Sequence, residues 1–236
     1  MNFNYFKTIL EETKELAFSQ VLIIVLLFIQ ISVVTRGLGT SNYGRAALVL
    51  ALVALIFRTF HSRNSEVTLL MLKKHGKNIY SVSLLFDIFI GIISMLLCVI
   101  LFQSSINTLF GDYQFNTILL ILLLSRVIQT LSESSKAVLT FYGKFKKFAL
   151  VDSVSNIFRF VAIIFLFYFE KSIENYLIGQ SIFSITYGLF GVFVCRDYLK
   201  ISDISFKNVK EYLQVFKLDF YKQRADQLVG IIPQHL

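Results

Sequence analysis

The chain has 236 residues, of which 56% are hydrophobic and only 16% charged, and its formal net charge is +8. Because a soluble domain carries about 25% charged residues, this composition, with a mean hydropathy of +0.68, argues against a water-soluble globular fold. The single proline and 11 glycines also exclude collagen-like and low-complexity chains. The composition therefore predicts a membrane protein.

Six apolar runs are each long enough, at about 1.5 Å per residue, to cross a hydrocarbon core about 30 Å thick. In chain order they cover residues 16–35, 43–60, 79–102, 116–132, 148–169 and 176–195. Acidic residues before the first run, and no small-residue cleavage site after it, predict an uncleaved helix. The connections are too short for a folded domain, so we predict an all-α, polytopic integral membrane helix bundle.

The Lys and Arg residues of the short connections predict the orientation. Fourteen of them fall in the N-terminal segment and in every second connection, whereas the other connections hold three, which are Arg36, Arg45 and Lys171. Because cytoplasmic loops carry the excess of positive charge, we expect the N-terminus in the cytoplasm. This asymmetry accounts for most of the net charge and argues against nucleic acid as a partner.

Residues 209–232 also have a helical pattern, but they carry several charges. At roughly 3 kcal/mol per charge, the five ionised side chains from Lys217 to Asp226 would oppose insertion of an isolated helix into lipid by about 15 kcal/mol. This segment predicts either a surface helix, using Leu213, Phe216 and Phe220, or a polar helix that lines a cavity and is shielded by its neighbours.

Ionisable residues inside the predicted spans are the candidates for function, because a charge in lipid is costly and marks a pathway or a pairing role. They are Arg58, Asp87, Arg126, Asp152 and Arg159. Four of them lie in three polar stripes at helical spacing, which are Arg58 with His61 and Ser65, Arg126 with Gln129 and Glu133, and Asp152 with Asn156 and Arg159. Three stripes predict a water-accessible interior dominated by arginine, whose planar fork suits phosphate or pyrophosphate.

Structural roles for the same residues remain open. Arg58 could extend to the membrane interface, Asp152 could cap a helix, and Asp87 could pair with an arginine. Ser184 and Gly188 form a small-xxx-small pair, which predicts close helix packing and not a substrate site.

Catalytic and cofactor motifs are absent from the sequence, including GxSxG, the P-loop, the dinucleotide fingerprint and HExxH. The histidines and cysteines lack metal-ligand spacing, and Cys98 and Cys195 are expected to be small core residues. We therefore predict no catalytic residues, no metal, no cofactor and no enzymatic activity.

Three short motifs resemble a known family, the bacterial polysaccharide and O-antigen flippases of the multidrug/oligosaccharidyl-lipid/polysaccharide exporter superfamily. Residues 35–44 (TRGLGTSNYG) resemble the LGxxxYG turn between the first two spans of that family. Residues 137–149 resemble its basic connection between spans four and five. Residues 224–230 (RADQLVG) are similar to the polar seventh helix that begins its second half.

The resemblance implies translocation of an undecaprenyl-pyrophosphate-linked oligosaccharide across the cytoplasmic (inner) membrane by alternating access. Arg58, Arg126 and Arg159 become candidate contacts for the substrate, and Asp87 and Asp152 become candidates for ion coupling or pairing. It also implies a six-helix bundle over residues 1–208 and a truncated seventh helix, the start of a second bundle, over 209–236. Possible partners are then the lipid-linked oligosaccharide, membrane lipids, a second half-transporter and other polysaccharide-assembly proteins.

Three alternatives stay open at this stage. A drug or cation exporter of the same superfamily would have a cavity richer in carboxylates than in arginines. A membrane glycan-polymerising enzyme would need a group of reactive residues at one interface. The chain could also be an inactive remnant of a longer transporter.

Overall fold

The computed structural model describes residues 3–61, 64–109, 113–200 and 204–217, and every regular element in these ranges is helical. The helices are α1 (Phe3–His61), α2 (Asn64–His75), α3 (Tyr80–Leu109), α4 (Tyr113–Phe141), α5 (Phe145–Phe169), α6 (Ile173–Val194) and, at the end of the described part, α7 (residues 206–217). The predicted all-α class is confirmed. Residues 218–236, which include the RADQLVG motif and Phe220, lie outside the described residues.

Four segments of the described residues are long and apolar enough to cross a membrane. They are Leu16–Phe102, Thr117–Phe141, Phe145–Phe169 and Ile173–Val194. The first segment has 87 residues and includes three of the predicted runs, so six separate spans are not confirmed. The composition predicts helices that are apolar enough to cross a membrane, and the structure contains such helices.

The predicted loop between the first two runs is a break inside α1 and not a loop. Only Gly39 in α1 has non-helical backbone angles, with φ 76° and ψ 161°. Glycine adopts this positive φ without the steric penalty that a Cβ would add. Gly37 and Gly44, also in the TRGLGTSNYG motif, remain helical, so one glycine is sufficient to redirect the chain.

Two other predicted boundaries need correction. The predicted loop after Phe60 contains α2, whose buried residues include Asn64, Val67 and Thr68. The fourth apolar run was expected to end at residue 132, but α4 continues to Phe141, because the polar residues of its last turns pack against other helices instead of facing water. α4 then ends at Gly143, whose φ of 64° lets the next backbone N–H donate to Leu139 O at 2.8 Å.

α6 lies between α4 and α5. Close contacts with α4 involve Gly188, where a Cβ would overlap the carbonyl oxygen of Ile128, and Gly191, where a Cβ would lie 3.3 Å from Ser135 Cβ. Close contact with α5 occurs where a Cβ on Gly179 would overlap the Ile163 side chain. The predicted packing role of Gly188 is therefore confirmed, and both cysteines are buried as predicted.

The first part of α1 packs along α5, and the second part returns along the bundle. Ser19 Oγ donates to Ala149 O at 3.2 Å near the start of α5, whereas Gly37 lies against Phe167 near its end. After the break, Tyr43 contacts Tyr176 at the start of α6, with ring centroids 6.2 Å apart. α1 therefore reverses direction at Gly39.

Candidate functional site

A polar groove forms where α4, α5 and α6 meet, and it contains two of the three predicted stripes. α4 contributes Arg126, Gln129 and Glu133, and α5 contributes Asp152, Asn156 and Arg159. Contacts through α6 join the two sides, since Ser184 bonds to the α4 stripe, and Phe183 and Tyr187 contact the α5 stripe. Sequence spacing thus identified both sides. It assigned Ser184 to helix packing only, although its hydroxyl group also bonds to Gln129, and it did not indicate Phe183 or Tyr187.

Arg126 is held on α4 by an amide. Its Nη1 donates to Gln129 Oε1 at 2.8 Å, and Ser184 Oγ donates to the same oxygen at 3.0 Å. Gln129 therefore fixes the guanidinium group while α6 fixes Gln129. Arg126 Nε is buried and has no hydrogen-bond partner among the described residues.

Arg159 has a parallel arrangement on α5. Its Nη2 donates to Asn156 Oδ1 at 2.5 Å, and Asn156 Nδ2 donates to Asp152 O at 2.8 Å. The guanidinium carbon lies 4.6 Å from the centre of the Phe183 ring, which is cation–π geometry. Arg159 Nε is also buried without a partner in the described part of the chain.

The two guanidinium groups carry like charge and interact unfavourably across the groove. Each is held by a neutral amide, and neither forms a salt bridge with a carboxylate among the described residues. Two half-buried cations that lack a salt bridge are costly, and an anion placed between them would reduce this cost. The groove therefore has the electrostatics of an anion site.

Arg58 joins this site from α1. A cavity of about 400 Å³ contains its side chain together with the α4 stripe, and the lining residues are Ala54, Phe57, Arg58, Arg126, Gln129, Thr130 and Glu133. Arg58 is exposed, and Arg126 is half-buried. Of the predicted third stripe, Ser65 is half-buried, and the His61 side chain lies outside the described residues.

The two predicted aspartates are in different places. Asp152 lies in the groove, where its carboxylate accepts hydrogen bonds from Tyr187 and, at 3.4 Å, from Gln20 Nε2 of α1. Asp87 is fully buried between α2, α3 and α4. Its Oδ1 accepts from Asn64 Nδ2 at 2.5 Å, and its Oδ2 accepts from Ser134 N at 3.2 Å.

The Asp87 contacts belong to a buried network that sequence reasoning missed. Tyr212 Oη of α7 lies 2.7 Å from Asn64 Oδ1 and 2.8 Å from Thr68 Oγ1. Asn64 and Thr68 are spaced i, i+4 on α2, which is the signal that could have indicated them. Asp87 therefore accepts hydrogen bonds from neutral groups of α2 and α4.

Within residues 3–61, 64–109, 113–200 and 204–217, no group of three His, Cys, Asp or Glu side chains lies close enough to hold a metal ion. Cys98 and Cys195 are both free thiols.

Fold and groove together define a helical membrane protein with a positively charged polar interior. Residues 33–229 match a family model described as "Polysaccharide biosynthesis protein", and because this match spans most of the chain, the chain belongs to that family. The match confirms the resemblance to polysaccharide flippase-type proteins seen in the motifs. No curated protein and no solved structure matches the chain.

Proposed function

We propose that this protein translocates an undecaprenyl-pyrophosphate-linked oligosaccharide across the cytoplasmic membrane by alternating access, as a step of O-antigen or capsule biosynthesis. The observation that carries this proposal is the pair of half-buried arginines, Arg126 and Arg159, on opposite sides of one groove. Each has a buried Nε atom without a partner in the described residues. Membership of a polysaccharide biosynthesis family supports the choice of substrate.

Pyrophosphate fits this pair of arginines by charge and geometry. Its two phosphoryl groups carry several oxygens that accept hydrogen bonds, and each guanidinium group can donate two parallel bonds to one phosphoryl group. Gln129 and Asn156 hold the arginines before the substrate arrives, which reduces the entropy lost on binding. Arg58, which is exposed in the adjoining cavity, is proposed to contact the substrate as it enters.

The proposed transport requires six crossings, and three of them would come from the Leu16–Phe102 segment. α1 has 59 residues, so a straight helix would be about 88 Å long, almost three times the thickness of a hydrocarbon core. The break at Gly39 and the reversed packing of α1 support two crossings within it. α3 would supply the third, and we propose that the N-terminus is cytoplasmic.

A cation or drug exporter is the second candidate, and Glu133 and Asp152 in the same groove favour it. We prefer an anionic substrate because the Asp152 carboxylate is hydrogen-bonded, whereas both arginine Nε atoms lack partners in the described residues. We further propose that the protein is not an enzyme. For ion coupling we propose Asp152 and not Asp87, because Asp87 is fully buried and hydrogen-bonded to Asn64 and Ser134.

Translocation in proteoliposomes tests the proposal. The native protein as it occurs in membranes would be reconstituted with a fluorescent lipid-linked oligosaccharide, and quenching from outside would report transfer between leaflets. Arg126→Gln and Arg159→Gln should each reduce the rate at least tenfold, because each loses charge-assisted hydrogen bonds. Arg45→Gln is the matched control, since Arg45 is an exposed arginine on α1, away from the groove.

The proposal would be wrong if both groove variants, at normal abundance and with a wild-type melting temperature, moved the substrate as fast as Arg45→Gln. Transport of a cationic dye that depends on Glu133, with no transport of the glycan lipid, would favour the exporter instead.

A further inference from the structure

A second cavity lies outside the polar groove, between α1 and the end of α5. Its volume is about 390 Å³, and its lining residues are Val33, Arg36, Gly37, Ile164, Phe167, Tyr168 and Lys171. It combines two cations with aromatic and aliphatic side chains. The proposed function makes no use of it.

Two cations line this cavity, which we call the cleft. Arg36 and Lys171 are both exposed, and neither forms a salt bridge with a carboxylate in the part of the chain that the structure describes. Gly37 lies close to both side chains, since a Cβ there would be 3.2 Å from Phe167 Cε2 and 3.4 Å from Lys171 Cδ. The Lys171 stem thus lies against α1, and its ammonium group shares the cleft with Arg36.

The surface around the cleft is strongly apolar. Tyr168 is 86% exposed, and Phe169 is 69% exposed. Further exposed apolar side chains continue along both helices, among them Phe28 and Ile31 on α1 and Val161 and Phe165 on α5. Arg, Lys and Tyr at the end of a membrane helix, next to such a surface, mark the level of lipid headgroups.

We propose that this cleft binds one anionic phospholipid, with its phosphate between Arg36 and Lys171 and its acyl chains along α1 and α5. The Arg36 guanidinium group can bind two phosphate oxygens, and the Lys171 ammonium group adds a point charge. Two cations disfavour a headgroup that carries its own positive charge, so a lipid with net negative charge is selected over a zwitterionic one. This site does not depend on what the groove transports.

Native mass spectrometry of the full chain tests the site. The purified protein would be delipidated and incubated with phosphatidylglycerol or phosphatidylcholine, and the retained lipids would be counted. We expect one tightly held phosphatidylglycerol, and the double variant Arg36→Gln/Lys171→Gln should weaken its binding at least tenfold. Lys73→Gln/Lys77→Gln is the matched control, since it removes the same charge from exposed positions on α2 and in the turn after it and should retain the lipid.

A second variant leaves the charges in place. Gly37→Leu puts a side chain into the cleft and should also release the lipid while both cations remain. Thermal melting of each variant shows whether it is folded.

Equal retention of phosphatidylglycerol by the folded double variant and the control would overturn the proposal. Retention of phosphatidylcholine equal to that of phosphatidylglycerol would overturn it as well. Displacement of the lipid by millimolar inorganic phosphate would also overturn it, because the cleft would then bind phosphate alone.

Discussion

Single glycines on α6 determine how closely it approaches its neighbours. At Gly188 the opposing group is the backbone carbonyl of Ile128, whereas at Gly179 it is the Ile163 side chain. A side chain can change its rotamer, but the backbone of a packed helix can move only with the whole helix. Gly188 is therefore the less replaceable of the two residues.

Gly188→Ala should destabilise the protein by about 1–3 kcal/mol, because the new Cβ would force α4 and α6 apart. Unfolding in detergent, followed by circular dichroism, measures this loss. Gly44→Ala is the control, since a Cβ there meets no atom within 4 Å, and we expect it to be neutral or slightly stabilising. Equal unfolding curves for the two variants would contradict the close approach at Gly188.

Residue spacing predicted the two sides of the groove because i, i+3 and i, i+4 neighbours must share a helix face. The bonds from Arg126 to Gln129 and from Arg159 to Asn156 follow directly from that spacing. The contacts of Ser184 and Phe183 could not be predicted, because they depend on which helices pack together. For the same reason, nothing in the sequence indicated that Asp87 would meet Asn64.

At the level of elements, α7 is attached to the bundle through one buried tyrosine. Tyr212 is fully buried, and its ring contacts the Phe86 ring of α3 with centroids 4.6 Å apart and planes tilted by 32°. Its hydroxyl group bonds to the buried α2 residues Asn64 and Thr68. By contrast Leu213, which a surface helix would bury, is 50% exposed. The described part of α7 therefore contacts the bundle through Tyr212 and through Phe216, one of the three predicted apolar residues, whereas Leu213 lies outside the contact.

Tyr212→Phe should weaken this attachment by about 1–3 kcal/mol, because buried polar groups on α2 would lose a hydrogen-bond partner. Amide hydrogen exchange of residues 206–217 measures how strongly α7 is attached, and we expect faster exchange in the variant. Tyr142→Phe serves as the control, since Tyr142 is 38% exposed and lies away from α7. Unchanged exchange in Tyr212→Phe would show that the hydroxyl group does not hold α7.

An ion pair makes the same attachment sensitive to pH. Glu211 of α7 bonds to Lys74, and His75 Nε2 lies 3.2 Å from the same carboxylate oxygen. These bonds, with Lys74 the larger contributor, lower the pKa of Glu211 below 4.5. The folded state favours the ionised carboxylate. The contribution of Glu211 to the stability of the attachment is therefore complete above 4.5, the pKa of the unfolded state, and is lost as the pH falls through the lower pKa of the folded state.

We therefore expect α7 to become more mobile as the pH falls below 4.5. In Glu211→Gln this pH-dependent change in mobility should be absent. A nitroxide label on Leu213→Cys would report the mobility of α7 in both proteins. The same acid-induced increase in mobility with and without Glu211 would exclude this ion pair as its cause.

Element boundaries were predicted least well where hydropathy and packing disagree. The apolar runs gave the helix cores, because lipid-facing side chains must be apolar. α2 and the last turns of α4 were predicted as loops, since their polar residues, such as Asn64 and Ser134, resemble loop residues until their buried partners are known. The break at Gly39 was placed within the right motif, but it is one residue long instead of a loop.

For the whole molecule, the reversal at Gly39 predicts that the start of the second part of α1 and the turn after α2 face opposite sides of the membrane. Thr40 and Asn78 are both exposed, and the chain's own cysteines are fully buried. Thr40→Cys should react with an impermeant maleimide added outside intact cells, whereas Asn78→Cys should react only after the membrane is opened. Labelling of both from one side would contradict a crossing between them.

The central claim for the whole molecule is that the groove binds a lipid pyrophosphate through Arg126 and Arg159. The most direct measurement is the affinity of the native protein in nanodiscs for undecaprenyl pyrophosphate, compared among wild type, Arg126→Gln/Arg159→Gln and Arg45→Gln. The account predicts that the double variant binds at least a hundredfold more weakly, about 2.7 kcal/mol, while Arg45→Gln binds as wild type does. Equal affinity of all three proteins would contradict it.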